Sequence, residues 1–182
     1  WPLYRHESRL AAEFDPERYA PRREESLRDD LQHQLGAIKM EAGLRRLCNY
    51  LVECLDERGY LPFSAEDIAA ETGAPVFDVN QAIYVLQSLS PPGVAARTLP
   101  ECLILQLAAG PHFSDKTIAL VKEGLPPLAK GDMRALAALL RCSEAQAARY
   151  AGYVKALNPI PSRGYAAADD NYHVIPDASV RK

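Results

Sequence analysis

Cysteine, histidine and carboxylate side chains are the ones in this chain with the chemistry for nucleophilic, acid–base or metal work, and their spacing is the first thing to test. Cys48, Cys54, Cys102 and Cys142 form no CxxC pair, and each falls within or beside an apolar helical pattern. A structural zinc site commonly draws its thiols in closely spaced pairs, and a disulfide framework belongs to an oxidising compartment. These read instead as packed thiols of a protein from a reducing compartment. His6, His33, His112 and His173 are scattered without ligand spacing. No nucleophile elbow, phosphate loop or carboxylate–histidine grouping is present. Asp56, Glu57, Glu66 and Asp67 lie at predicted helix ends, where solvation and the helix dipole account for them. The reading is therefore a non-enzymatic chain with no metal and no cofactor.

Recognition of a macromolecule is the remaining class, and charge decides which kind. Formal net charge is −3, against a surface generally suited to nucleic acid. From Gly59 to Ala96 there is no Lys, Arg or His, against Glu66, Asp67, Glu71 and Asp78. From Lys122 to Arg163 there are seven basic residues (Lys122, Lys130, Arg134, Arg141, Arg149, Lys155 and Arg163) against three acids. The two halves carry opposite sign. A helix over Val76–Leu86 presents Phe77, Asp78, Asn80, Gln81 and Tyr84. DNA affinity comes chiefly from cations on phosphates, and this face has none, so a protein partner suits it better. In the basic half, Arg141, Arg149 and Lys155 fit phosphate, an acidic protein surface or plain solvation equally.

Helical periodicity must position those side chains. Residues 1–25, with Pro2, Pro16 and Pro21 and no sustained period, read as a charged linker. Leu27, Leu31, Leu35 and Ile38 give one apolar stripe, and Leu44, Leu47, Cys48, Leu51, Val52 and Leu55 a stronger one, with Gly59 as the expected residue just past its end. Tyr60-Leu61 is expected to fold back on the core. Ser64 caps a short helix ending at Thr72-Gly73, and Pro75 opens a longer one with Val76, Val79, Ile83 and Leu86 inward. Short helix, glycine turn, longer helix is helix-turn-helix spacing.

Ser90-Pro91-Pro92-Gly93 then breaks the chain, and Thr98-Leu99-Pro100-Glu101 restarts it with a capping box. The turn predicts that Pro91, Pro92 and Gly93 set the angle at which the Leu99–Leu107 helix packs on the Leu44–Leu55 helix, with Arg97 tying the loop to a carboxylate or helix end. Beyond Gly110-Pro111, Ile118, Val121 and Leu125 line one helix, stopped at Pro126-Pro127. Leu128, Met133, Leu136, Ala137 and Leu140 suggest a short pair. Ser143-Glu144-Ala145-Gln146 caps a helix with Ala147, Tyr150, Ala151, Val154 and Leu157 inward. A shift of 68 residues sets Ile68 on Leu136, Ala69 on Ala137, Leu86 on Val154, Leu89 on Leu157 and Pro91 on Pro159. Two similar units or a chance coincidence of two helical patterns both fit that match.

These strings resemble a known family. LQSLSPPGVAARTLPECLILQL (Leu86–Leu107) is similar to the hallmark "LQ-x-x-DPPGVGARDLRECLLLQL" of the enhancer-dependent bacterial sigma factors, the sigma-54 family. LVECLDERGYL (Leu51–Leu61) resembles its helix ending in D-x-x-GYL. Glu66–Gly73 resembles "EEIA-x-x-x-G", and Leu128–Leu140 "L-A-x-GD-x-x-x-LA". Leu157-Asn158-Pro159 with Pro161, followed by Val174-Ile175-Pro176-Asp177, is similar to "LNP-x-P" and "IPD". Ser90 stands where Asp is usual, Ala95 where Gly is common, Thr98 where Asp or Asn is usual, and Ser162 for a frequent Gly.

The resemblance implies the central domain that binds core RNA polymerase, from a cytoplasmic factor for enhancer-dependent transcription initiation at promoters with −24 and −12 elements. It further implies that the full-length protein meets promoter DNA and an ATP-hydrolysing activator, through regions not seen in these 182 residues. A chain opening on Trp1 is expected to be a piece of something longer. The expected architecture is all-α, in two packed helical subdomains, 26–110 and 111–158, the first containing the helix-turn-helix-like unit. An extended tail or linker follows over 159–182. No apolar run is long enough to span a membrane. Expected polymerase-docking residues are Asp67, Glu71, Asp78, Gln81 and Tyr84 on the first unit and Arg141, Arg149 and Lys155 on the second. The alternative is a stand-alone helix-turn-helix DNA-binding transcriptional regulator.

Overall fold

The computed structural model describes residues 26–166. Among these the chain is all-α: α1 (Leu27–Ala37), α2 (Ala42–Glu53), α3 (Ala65–Thr72), α4 (Val76–Gln87), α5 (Leu99–Ala109), α6 (Asp115–Glu123), α7 (Leu125–Lys130), α8 (Met133–Leu140) and α9 (Glu144–Lys155). The linker over 1–25 and the tail beyond 166 lie outside the described residues.

Side-chain caps fix where most of these helices begin. Ser26, Ser64, Ser114 and Ser143 each accept from the third helical backbone N–H, and the residue there returns a side-chain contact to the cap backbone. Each such exchange stabilises a helix start by about 1 kcal/mol. Thr98 makes half of the exchange: its hydroxyl accepts from the Glu101 N–H, but the Glu101 carboxylate accepts from the Arg97 N–H at 2.8 Å and from Gln87 Nε2 at 2.8 Å. Arg97 therefore ties the turn through its backbone, and its side chain is exposed.

Two apolar cores result. The first gathers Leu31, Leu35, Cys48, Leu51, Val52, Leu61, Ile68, Val79, Ile83 and Leu86 with their neighbours, and α2 packs on α4 across it. The second gathers Leu103, Leu107, Leu120, Val121, Leu136, Leu140, Ala147, Ala151 and Val154. Leu103 and Leu107 thus put α5 in the second core, where it packs against α6. That corrects the expectation that α5 lies on α2. Sequence pattern marks which face of α5 is buried but not which other face covers it.

Four further corrections concern helix ends and faces. Helix α2 ends at Glu53, and Gly59 belongs to a separate turn closed by the Asp56 side chain, which accepts from the N–H groups of Arg58 and Tyr60. Pro126-Pro127 open α7 rather than stop α6, which already ends at Glu123 with Gly124 as its cap; proline is tolerated in a first turn because its missing N–H has no helical partner there. Ile38, Val76 and Leu99 fall at helix ends and are exposed, though the stripes predicted them inward. Residues 159–166 do not run free as a tail. Tyr60 donates its hydroxyl to the Pro159 carbonyl at 2.7 Å, the Ser162 hydroxyl to the Glu57 carbonyl at 2.7 Å, and the Tyr165 hydroxyl to Asp30 at 2.7 Å. The segment straps the end of the second core to the first. As expected, Leu61 is fully buried, its N–H on the Ala96 carbonyl.

The 68-residue shift carries α3 onto α8 and α4 onto α9 with the same first and last residues. It also carries the left-handed turn residue Gly73 onto Arg141, likewise left-handed, at φ +70° and +49°. Each Leu-polar-Pro stop is gripped by a glutamine from the first helix of its own half. Gln34 of α1 donates to the Ser90 carbonyl at 2.7 Å and accepts from its N–H at 2.9 Å. Gln106 of α5 does the same to Asn158, at 2.6 and 2.9 Å.

Candidate docking surface

Helices α2 and α4 do not close over their whole length. Between them, with the end of α3, lies an open groove of about 660 Å³ lined by Glu41, Leu44, Arg46, Leu47, Tyr50, Glu71, Ala74, Asp78 and Gln81 among others. Leu44 and Gln81 continue it into an adjoining apolar trough of about 420 Å³, whose other walls are Phe77, Asn80, Tyr84 and Val85. Phe77 is 69% and Tyr84 75% exposed, the largest exposures among the big apolar side chains of the described residues. They stand on α4 because Val79, Ala82, Ile83 and Leu86 take its opposite face into the core.

Charge follows position on this surface. Three carboxylates, Glu41, Glu71 and Asp78, line the groove against one guanidinium, Arg46. Tyr50 and Glu71 face each other across the groove, and the neighbouring Glu71 carboxylate, with burial, pushes the Tyr50 phenol above its ordinary range. No lysine, arginine or histidine lies between Gly59 and Ala96 to neutralise the rim.

The structure brings four of the expected docking residues together: Glu71 and Asp78 in the groove, Tyr84 in the trough, and Gln81 in both. Asp67 is not among the lining residues. Its carboxylate accepts from the Ser64 hydroxyl at 2.6 Å as part of the α3 cap, and that bond holds it below the usual aspartate range. Arg141, Arg149 and Lys155 lie on the other half: Arg141 ends α8, Arg149 reaches the Tyr153 hydroxyl at 3.4 Å, and Lys155 closes α9. Leu44 and Leu47 were missed as surface because their spacing is that of the inward stripe of α2, and Tyr50, outside that stripe, was not singled out. The structure leaves all three only partly buried.

Two of the four thiols are shut away from solvent. Cys48 and Cys102 are buried, and burial pushes the Cys48 thiol up to about 11 and the Cys102 thiol upward as well. None of the four cysteines is in a disulfide, and no cluster of side chains fit to hold a metal ion occurs among the described residues. None of the described helices is long and apolar enough to cross a membrane.

What fold and surface define together is an all-α domain of two helical cores with an open, acid-rimmed groove on the first. Residues 17–182 match the model of the family described as "Sigma-54 factor, core binding domain". The chain belongs to that family. Relatives include the RNA polymerase sigma-54 factor of Acidithiobacillus ferridurans, 34% identical over 163 residues, covering 87% of this chain and 34% of that protein. RNA polymerase sigma-54 factor 2 of Bradyrhizobium diazoefficiens is 35% identical over 158 residues, covering 87% and 29%. The corresponding factor of Shewanella violacea is 33% identical over 165 residues, covering 87% and 33%. The chain spans about a third of the length of these relatives. The match favours the sigma-factor reading over a stand-alone DNA-binding regulator.

Proposed function

We propose that this domain binds core RNA polymerase as part of a sigma-54 factor for enhancer-dependent transcription initiation. The observation that carries this is the family match across residues 17–182 to a core-binding domain. The acid-rimmed groove agrees with it: a duplex would meet carboxylates where phosphate binding needs cations. Docking is assigned to Glu71, Asp78, Gln81 and Tyr84 on the first half and to Arg141, Arg149 and Lys155 on the second, with Asp67 acting through the α3 cap. Two surfaces of opposite sign suit two separate contacts on one large partner. In the full-length protein, promoter DNA and an ATP-hydrolysing activator are further partners, the site of action is the cytoplasm, and the domain itself catalyses nothing.

Titration of the labelled 182-residue chain with purified core RNA polymerase tests this. Saturable binding is expected, along with weak, sequence-blind DNA binding whose dependence on salt is shallow. Absence of any association with core enzyme would sink the reading.

A further inference from the structure

We infer that the groove between α2 and α4 receives one amphipathic helix of core RNA polymerase, seated by large apolar side chains between Phe77, Tyr84 and Leu44 and flanked by Lys or Arg that meets Glu41, Glu71 and Asp78. The inference rests on the polymerase reading above and adds the shape and chemistry of what binds.

The aromatic pair is an addition to the fold. In the other half, the 68-residue shift sets Ala145 and Gly152 of α9 at the positions of Phe77 and Tyr84, and Gln146 and Arg149 at those of Asp78 and Gln81. A helix of the same length therefore carries no acidic rim, and its two aromatics, Tyr150 and Tyr153, are only partly exposed. Exposing two such rings on α4 is unfavourable in water unless a partner covers them. Seven residues separate Phe77 from Tyr84, about 10 Å along the helix at the usual rise. Two turns of a partner helix cover that length.

Backbone chemistry selects a helix over an extended segment. The walls are α2 and α4 with the end of α3; past their first turns the backbone groups of α2 and α4 are engaged within their own helices, and no sheet edge borders the apolar trough among the described residues. An extended chain laid in the apolar trough would bury N–H and C=O groups without partners. A helix arrives with its own satisfied, and laying an apolar helical face into a hydrophobic groove is an established mode of recognition. The sign of the rim selects the flank: three carboxylates against Arg46 disfavour an acidic helix and attract a basic one.

The test uses the whole chain bound to purified core polymerase, with a photo-crosslinking amino acid at position 77 or 84. Both positions are expected to label one stretch that forms a helix in the polymerase and carries Lys or Arg beside its apolar face. The double variant Phe77→Ser, Tyr84→Ser should bind core enzyme at least about tenfold more weakly, and Asp78→Arg should also weaken binding, while circular dichroism stays that of the parent because these side chains are not core residues. Labelling of an extended or acidic segment, or of a second copy of this chain, overturns the inference. So does parental affinity in the double variant. In those cases binding by the parent chain still upholds the polymerase reading, whereas a parent chain that ignores core enzyme removes both.

Discussion

Replacing Gly93 by alanine isolates how the central turn is held against the second core. Gly93 is buried at φ +94°, and a Cβ there would sit 2.7 Å from Cys102 Sγ, 2.9 Å from Gln106 Nε2 and 3.1 Å from the Cys102 carbonyl oxygen. The backbone region costs an L-residue about 1–2 kcal/mol. Forcing a methyl into a packed contact costs about 1–3 kcal/mol. Restricting the unfolded chain offsets about 0.4–1 kcal/mol of this. The expected loss is about 2–4 kcal/mol, a large share of the total of about 5–15 kcal/mol that holds a domain folded. Gly73 is the control: its φ is +70° and nothing lies within 4 Å of its added Cβ. Gly73→Ala carries the backbone cost alone, so about 1 kcal/mol. Urea unfolding of both variants at unchanged m-value reads the difference directly. Equal losses in the two variants, within about 0.5 kcal/mol of each other, would refute the close approach of this turn to α5. A second arm sharpens the test. Gln106→Ala removes one of the clashing atoms, so the two changes should be less than additive when combined.

Three further outcomes follow from the same contacts. Gln106→Ala leaves the partly buried N–H and carbonyl of Asn158 unpaired and should destabilise by about 1–3 kcal/mol, more than Gln34→Ala, whose grip on Ser90 is exposed; thermal melts of the two variants decide. Asp67 is depressed in the folded state, so the stability it contributes is complete above the ordinary aspartate range and is lost as pH falls below about 4; Asp67→Asn should flatten that acid limb in pH-dependent urea titrations while leaving Asp29 and its cap unaffected. Native alkylation with iodoacetamide at pH 8, read by peptide mapping, should spare Cys48 and Cys102, which are buried with raised thiol pKa, and should modify both once urea unfolds the chain.

Local rules made much of the fold legible. Ser64 and Gly73 bracket α3, Ser143 opens α9, and Pro75 precedes α4 as the spacing predicts. What failed to show was long-range. Gln34 and Gln106 look like any polar residue on a helix, yet each reaches a backbone 56 or 52 residues away. The stripe on α5 has the right face but no address, so its packing against α6 could not be read. The same limit hid the Tyr60–Pro159 and Ser162–Glu57 contacts that bring residues 159–166 back to the first core. Within the candidate surface, Asp78, Gln81 and Tyr84 could be set on one face from the sequence because α4 is polar and aromatic on one side and apolar on the other. That pattern could not place Glu71, at the end of α3, beside them, nor Leu44 and Tyr50 of α2, because periodicity cannot say where two helices stop touching.

Ala95 shows how a departure from the family pattern can be structurally informative. It occupies the position where glycine is common in the resemblance, and it is fully buried at φ +56°. Alanine there accepts a left-handed backbone but keeps a methyl in the first core, so the strain of about 1–2 kcal/mol is partly offset by about 0.8 kcal/mol from the buried methyl. The N–H of Ala95 donates to the Gly59 carbonyl, and the Ala96 carbonyl accepts from the Leu61 N–H, so this strained residue sits where the turn is stitched to the segment 59–61. Six residues on, the Glu101 carboxylate joins Arg97 to Gln87. The turn is thus bound on one side to the first core and pressed on the other against α5 of the second. Its geometry fixes how the acidic groove beside α4 and the basic residues Arg141, Arg149 and Lys155 are placed relative to one another, so docking on both surfaces, as proposed above, would depend on it even though no residue of the turn lines either one.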